Sequence, residues 1–135
     1  MADRRSPIYD GAMDRTFLLL GAILGFLGVA LGAFGAHGLR SRLSPDMLAV
    51  FETGVRYQMY HVFALLIVSA AIGHLGSARL LLTAGWFFFA GILIFSGSLY
   101  ALALTSTGVL GAITPFGGLA LLVGWACLAL FAAAR

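Results

Sequence analysis

The stretch from residue 80 to residue 134 reads LLLTAGWFFFAGILIFSGSLYALALTSTGVLGAITPFGGLALLVGWACLALFAAA and contains no Asp, Glu, Lys or Arg. One helical crossing of a lipid bilayer needs about 20 apolar residues. This uncharged run is more than twice that long, and TSTG at residues 105–108 supplies a turn near its middle. The run therefore predicts two membrane-spanning helices joined by a short connector.

The composition of the whole chain agrees with a membrane environment. Of its 135 residues, 61% are hydrophobic and only 10% are charged, and the mean hydropathy is +1.04. Soluble domains carry about a quarter charged residues. A water-soluble core of this size cannot hide so much apolar surface, so lipid is the expected solvent.

The charged residues predict how the chain is oriented in the bilayer. All eight basic residues are arginine, the formal net charge is +3, and the pI is near 9.6. In a membrane protein such arginines orient the spans and contact anionic lipid headgroups, so no nucleic-acid partner is expected. The N-terminal side carries Arg4, Arg5, Arg15, Arg79 and Arg135, and the opposite side carries Arg40, Arg42 and Arg56. This bias predicts that both termini are cytoplasmic.

Helix-start signals and apolar periodicity predict two further spans upstream of the uncharged run. Ser44 is suited to cap a helix whose first residue is Pro45. The predicted order is a flexible polar tail at residues 1–15, a first span at 16–36, an amphipathic interfacial stretch at 45–56 leading into a second span at 57–74, a third span at 80–104, and a fourth span at 114–133 that begins with Thr114 and Pro115. Short turns make neighbouring helices antiparallel. The predicted fold class is an all-α integral membrane four-helix bundle, with residues 16–135 as a single domain.

Glycines recur at three- and four-residue intervals along the first span. Such spacing puts them on one helix face, where a neighbouring backbone can approach closely. The predicted packing glycines are Gly21, Gly25, Gly28, Gly32 and Gly35 in the first span, and Gly117, Gly118 and Gly124 in the fourth. Gly38 is expected to end the first helix in a left-handed conformation.

Polar side chains inside the predicted spans form the candidate site. Ionisable and hydrogen-bonding groups at membrane depth are candidates for function by default. The candidate polar cluster comprises His37, Tyr57, Gln58, Tyr60, His61, Ser96, Ser98 and Tyr100. We expect His37, at the end of the first span, to share a hydrogen-bonded cluster with His61 at the start of the second. Two histidines without a third ligand do not predict a metal or haem site, so no metal and no cofactor is expected. No catalytic motif is present, and no enzyme activity is predicted.

Four blocks of the sequence resemble a known family of small membrane proteins. The blocks are GAFGAHGL (32–39), YQMYHVFALL (57–66), FSGSLYALALT (95–105) and GAITPFGGLALLVGW (111–125). Together and in this order they resemble the domain of unknown function 423 family, whose animal member is transmembrane protein 256. The resemblance implies an integral protein of the bacterial inner membrane, and it brings no established activity, substrate or cofactor.

Three functional hypotheses remain open at this point. The first is a structural or accessory membrane protein that packs, through its glycine faces, against further copies of itself or into a larger complex. The second is a small transporter or channel component with the histidine and tyrosine cluster lining a path. The third is a membrane redox subunit that uses the two histidines. In all three the lipid bilayer is a partner.

Overall fold

The computed structural model describes residues 7–135, with side chains described from Gly11 onward. Four α-helices account for almost all of this region: α1 at Pro7–Phe34, α2 at Pro45–Leu75, α3 at Arg79–Thr105 and α4 at Val109–Ala133. A π-helical turn at Gly35–Leu39 continues α1. The described residues contain no strand. All four helices are long and apolar enough to cross a membrane, which confirms the predicted all-α four-span fold.

The first helix begins earlier than the sequence predicted. We expected residues 1–15 to form a flexible tail, but α1 starts at Pro7, so that expectation is wrong for residues 7–15. Proline is well placed there because the first turn of a helix has no use for its missing amide hydrogen. Within this segment the Thr16 hydroxyl donates a hydrogen bond of 2.7 Å to the Ala12 carbonyl. The part of the predicted tail at residues 1–6 lies outside the described region.

The second helix is continuous. The predicted interfacial stretch and second span form the single helix α2, and the Ser44 side chain caps it by accepting a hydrogen bond of 3.3 Å from the Met47 amide. The left-handed conformation expected at Gly38 is wrong, because that residue lies inside the π-helical turn. The one described glycine with a positive φ is Gly76, at 82°, where α2 turns toward α3.

The fourth helix also begins earlier than predicted, at Val109, and Pro115 lies inside it. Thr114 was expected to cap this helix. Its hydroxyl instead lies 2.7 Å from the Ser98 hydroxyl of α3. Proline at this position removes the amide that would otherwise bond to the Gly111 carbonyl. The early start follows from the turn at 106–108, where Ser106 is left-handed and ends α3.

Helices adjacent in sequence pack along their lengths, and α1 reaches α3 only over a short region. There the ring of Phe17 fills the space beside Gly85. The larger core draws on all four helices and includes Phe17, Leu65 and Phe88, all fully buried, and Leu121 of α4. A smaller core lies next to the π-helical turn and contains Leu39, Phe51 and Ala103.

Glycines set the closest helix approaches. A methyl group added at Gly28 would lie 2.5 Å from the Met59 sulfur, and one added at Gly35 would lie 3.1 Å from the Phe51 ring. Because the partner's residue number falls as the glycine's rises, α1 and α2 are antiparallel. All five glycines of the predicted stripe have an α2 side chain as their nearest neighbour: Gly21 with Leu66, Gly25 with Val62, Gly28 with Met59, Gly32 with Val55 and Gly35 with Phe51.

The glycines of α4 lie against α3. Gly117 lies against the backbone of Phe95, so closely that no larger residue fits without movement. Gly118 borders the Phe95 ring, and a methyl group added at Gly124 would lie 2.6 Å from the Phe88 ring. The small residues of both stripes are therefore used in contacts within the chain.

Candidate functional site

Gln58 connects three helices through its side-chain amide. Its Nε2 atom donates a hydrogen bond of 2.7 Å to the Leu24 carbonyl of α1. Its Oε1 atom accepts one of 2.8 Å from the Tyr100 hydroxyl of α3. Gln58 is only 3% exposed, so both bonds lie in surroundings where an unpaired polar group costs about 1–3 kcal/mol.

A serine forms a second hydrogen bond between α2 and α3. The Ser96 hydroxyl donates a hydrogen bond of 2.7 Å to the Gly54 carbonyl. Gly54 has no side chain, which lets the Tyr100 ring come close: an added methyl group would lie 2.8 Å from that ring. The Tyr100 ring also packs on Phe51, with ring centroids 4.9 Å apart.

Two hydroxyl groups form the hydrogen bond between α3 and α4. Ser98 donates to the Phe95 carbonyl at 2.9 Å and lies 2.7 Å from the Thr114 hydroxyl. Thr114 lies 3.4 Å from the Leu110 carbonyl. Each hydroxyl has one proton and a carbonyl of its own helix within reach, so either one can donate in the bond between them.

His61 is held by partners at both ring nitrogens. The Nδ1 atom lies 2.7 Å from the Tyr57 carbonyl, and Nε2 lies 3.1 Å from the indole nitrogen of Trp125 on α4. A carbonyl only accepts and an indole N–H only donates, so we assign the proton to Nδ1. The ring also packs against Phe88, with centroids 5.8 Å apart. The geometry thus describes a neutral histidine with both nitrogens paired.

The pairing of polar groups extends through the described part of the chain, where no buried side-chain nitrogen or oxygen lacks a hydrogen-bond partner. At the opposite end of α2, the Ser69 hydroxyl donates to the Asp14 carbonyl at 2.7 Å. Residues 11–135 also contain no group of three His, Cys, Asp or Glu side chains arranged to hold a metal.

The structure separates His37 from the other members of the predicted cluster. His37 is exposed in the π-helical turn, and the neighbouring Gly35 faces Phe51. His61 lies ten residues after Phe51 in α2, which is about 15 Å along the helix axis. The predicted pairing of His37 with His61 is therefore wrong, because the antiparallel packing of α1 and α2 puts Leu24, rather than the end of α1, near the level of His61.

Tyr57 and Tyr60 lie on the outer side of α2, where they are 39% and 55% exposed. With His61 they form one wall of a cleft of about 790 Å³ between α2 and α4, which we call the α2–α4 cleft. The α4 wall consists of Pro115, Gly118, Leu119, Leu121, Leu122 and Trp125. The size is in the range of small-molecule sites. The Tyr57 ring stacks on His61 and also packs on Phe95.

Two participants were missing from the candidate site predicted from sequence. Trp125 was assigned only to a resembling block, although an indole N–H in an apolar span needs an acceptor, and that requirement is a usable signal. Thr114 was assigned to a helix cap. Its partner Ser98 lies in a different helix, and no local pattern in the sequence indicates that pairing.

Comparison with known proteins gives a consistent set of relatives. The family model described as protein of unknown function (DUF423) matches residues 31–118. The UPF0382 membrane protein YwdK of Bacillus subtilis is 49% identical over 111 residues, covering 82% of this chain and 90% of the relative. The UPF0382 membrane protein SH2409 of Staphylococcus haemolyticus is 47% identical over the same length, covering 82% and 89%.

No solved structure matches this chain. The relatives are bacterial membrane proteins by name, and their lengths are almost fully covered. A family model that covers most of the chain, four apolar helices long enough to span a bilayer, and relatives at nearly half identity agree. The chain is a small polytopic membrane protein of the DUF423 family.

Proposed function

We propose that this protein is a non-enzymatic structural or accessory component of the bacterial inner membrane. The observation that carries the proposal is the complete internal pairing of the buried polar groups of the described residues. Gln58, Ser96 and His61 each bond to a group on their own or a neighbouring helix. Side chains used in this way hold helices together, and they leave no buried side-chain nitrogen or oxygen of the described residues unpaired.

The packing of the glycines changes where assembly is expected. Both glycine stripes are used between helices of the same chain. Association with further copies or with a larger complex therefore has to use the outer sides of the helices. These sides are rich in exposed apolar residues, such as Phe26 on α1 and Phe116 on α4, 74% and 69% exposed. In a bilayer they contact lipid unless a partner helix covers them.

The transport hypothesis ranks second. It requires polar or charged groups that face a path, usually with interrupted helices in matching halves. Pro115 inside α4 and the α2–α4 cleft are the features that favour it. The buried polar side chain in the cleft wall favours the structural role, because both nitrogens of His61 are already paired.

Purification in mild detergent, followed by mass measurement and identification of co-purifying proteins, tests the proposal. We expect the protein mass of the particle, without its bound detergent, to exceed the 14.2 kDa of one chain, because it contains further copies or a reproducible partner. We expect no visible absorbance band. The matched control is Gly117→Leu, which should separate α3 from α4 and abolish the assembly. A monomer that carries a coloured cofactor, or that drives solute uptake in vesicles, would contradict the proposal.

A further inference from the structure

The two ends of the α2–α4 cleft lie at different depths along the helices. Both helices run the same way, because each packs antiparallel to α3. Near the start of the cleft, Tyr57 packs on Phe95, whose backbone also contacts Gly117. At the other end, Trp125 packs on Phe88 with centroids 5.1 Å apart. From Pro115 to Trp125 the cleft extends ten residues, about 15 Å of helix. That is about half of the 30 Å hydrocarbon core, the depth that one lipid tail occupies.

A charged residue lies next to the shallow end of the cleft, directly before the lining residue Tyr57. Arg56 is exposed on the outer face of α2, directly before Tyr57 and one turn before Tyr60. The i,i+4 spacing of Glu52 and Arg56 allows a salt bridge, yet no ion pair joins them among the described side chains. The hydroxyls of Tyr57 and Tyr60 likewise have no hydrogen-bond partner within residues 11–135.

Helix geometry directs these groups toward the membrane surface. Side chains on an α-helix tilt toward its N-terminus. On α2 this tilt points Arg56 and Tyr60 toward the side of the bilayer where α2 begins. An arginine within a span is favourable when its guanidinium reaches the phosphates of the interface. The cleft therefore has hydroxyl donors at its shallow end with a positive charge beside them, and apolar side chains such as Leu119 and Leu122 below.

We propose that the α2–α4 cleft binds one anionic phospholipid. Its phosphate is held by the Arg56 guanidinium and the Tyr60 hydroxyl, and one acyl chain lies in the cleft down to Trp125. Charge complementarity identifies the occupant, because an arginine without an acidic partner meets an anionic headgroup. The opening faces lipid, since Tyr60, Leu119 and Leu122 are each more than half exposed on the outer surface of the helices.

Quenching of Trp125 fluorescence by brominated lipids tests this site. The chain has two tryptophans, so Trp86→Phe leaves Trp125 as the reporter on the cleft wall. The protein is placed in vesicles of phosphatidylcholine that contain a fixed fraction of lipid with brominated acyl chains, either phosphatidylglycerol or phosphatidylcholine. We expect the brominated phosphatidylglycerol to associate about fivefold more strongly, the effect of one arginine near a membrane surface.

Two variants and a matched control assign the preference to the cleft. Arg56→Gln should reduce the fivefold ratio to about one, and Tyr60→Phe should reduce it in part. Arg40→Gln removes an exposed arginine on the same side of the membrane but in the connection between α1 and α2, away from the cleft residues Tyr57 and Tyr60, and it should leave the ratio unchanged. Equal quenching by the two lipids in the parent protein would overturn the proposal, as would equal losses in Arg56→Gln and Arg40→Gln. Absence of quenching by either lipid would also overturn it, because a second copy or another protein would then fill the cleft.

Discussion

His61 positions Trp125 by accepting the hydrogen bond from its indole nitrogen. The same ring bonds to the carbonyl of Tyr57, one turn earlier on its own helix. The imidazole is thereby fixed in one orientation and closes the inner side of the α2–α4 cleft. Its chemistry in this structure is that of a link between α2 and α4, made by a neutral ring.

Removal of this ring should therefore destabilise the folded protein. We expect His61→Ala to lower the free energy of unfolding by about 1–3 kcal/mol, because the indole N–H of Trp125 then lacks an acceptor near lipid. His37→Ala should change it by less than 0.5 kcal/mol, about the size of an ordinary surface substitution. Reversible unfolding in mixed detergent micelles measures both.

The double variant adds an independent check on the separation of the two histidines. Residues that share no contact give additive effects. His37→Ala combined with His61→Ala should therefore cost the sum of the single changes. A clear departure from additivity would indicate that the rings meet, contrary to the packing described above.

At the scale of single helices, the glycine contacts differ in how easily the neighbouring atoms can move to admit a larger side chain. An added methyl group at Gly117 meets the backbone of Phe95, whereas one at Gly32 lies 3.4 Å from a methyl group of Val55. A side chain can rotate away, but a helix backbone cannot move without shifting α3 against α4. The α3–α4 contact should thus tolerate substitution less well than the α1–α2 contact at Gly32.

Alanine substitutions at these glycines test that difference. We expect Gly117→Ala to destabilise the protein by about 1–3 kcal/mol through overpacking, and Gly32→Ala to be close to neutral. Gly97→Ala is the matched control, because a methyl group there meets nothing within 4 Å. Thermal unfolding in detergent compares all three. If Gly32→Ala proved as damaging as Gly117→Ala, the described order of contacts would be wrong.

The helices themselves could be predicted from the sequence, whereas their ends and partners only partly could. The number of spans follows from the length of the uncharged run and from the cap at Ser44, which the structure confirms. The start of α4 could not be predicted, because Thr114 and Pro115 have the local signature of a helix start. In the structure both lie inside α4, and the Thr114 hydroxyl pairs with Ser98 of α3. The bond from Trp125 to His61 spans 64 positions in sequence and leaves no local pattern.

At the scale of the whole molecule, the distribution of arginines predicts the orientation in the membrane. We propose that both termini face the cytoplasm, because the sequence predicts five arginines on the side of the termini and three on the other, and arginine-rich ends are retained in the cytoplasm. Reporter fusions after Arg135 and within the loop at residues 40–44 test the proposal. We expect the first to report cytoplasm and the second to report the outside. The reverse result at both positions would invert the orientation.

The hydrogen bonds between helices predict how the whole molecule unfolds. Gln58 bonds to α1 through the Leu24 carbonyl and to α3 through the Tyr100 hydroxyl. One side chain thus connects three of the four helices that form the larger core. If the candidate cluster holds the helices together, the energy of these bonds should appear in the cooperative unfolding of the whole chain.

The most direct test of this account is the coupling energy between Gln58 and Tyr100. It is obtained from the free energies of unfolding of Gln58→Leu, Tyr100→Phe and the double variant in mixed micelles. We predict a favourable coupling of about 0.6 kcal/mol, the average that double-mutant cycles give for hydrogen bonds between membrane helices, and no more than the maximum of about 1.7 kcal/mol. The matched control pairs Gln58→Leu with Thr105→Val, whose hydroxyl bonds within its own helix to the Ala101 carbonyl, and it should show no coupling. A Gln58–Tyr100 coupling of zero would contradict the assignment of the polar cluster as the tie between the helices.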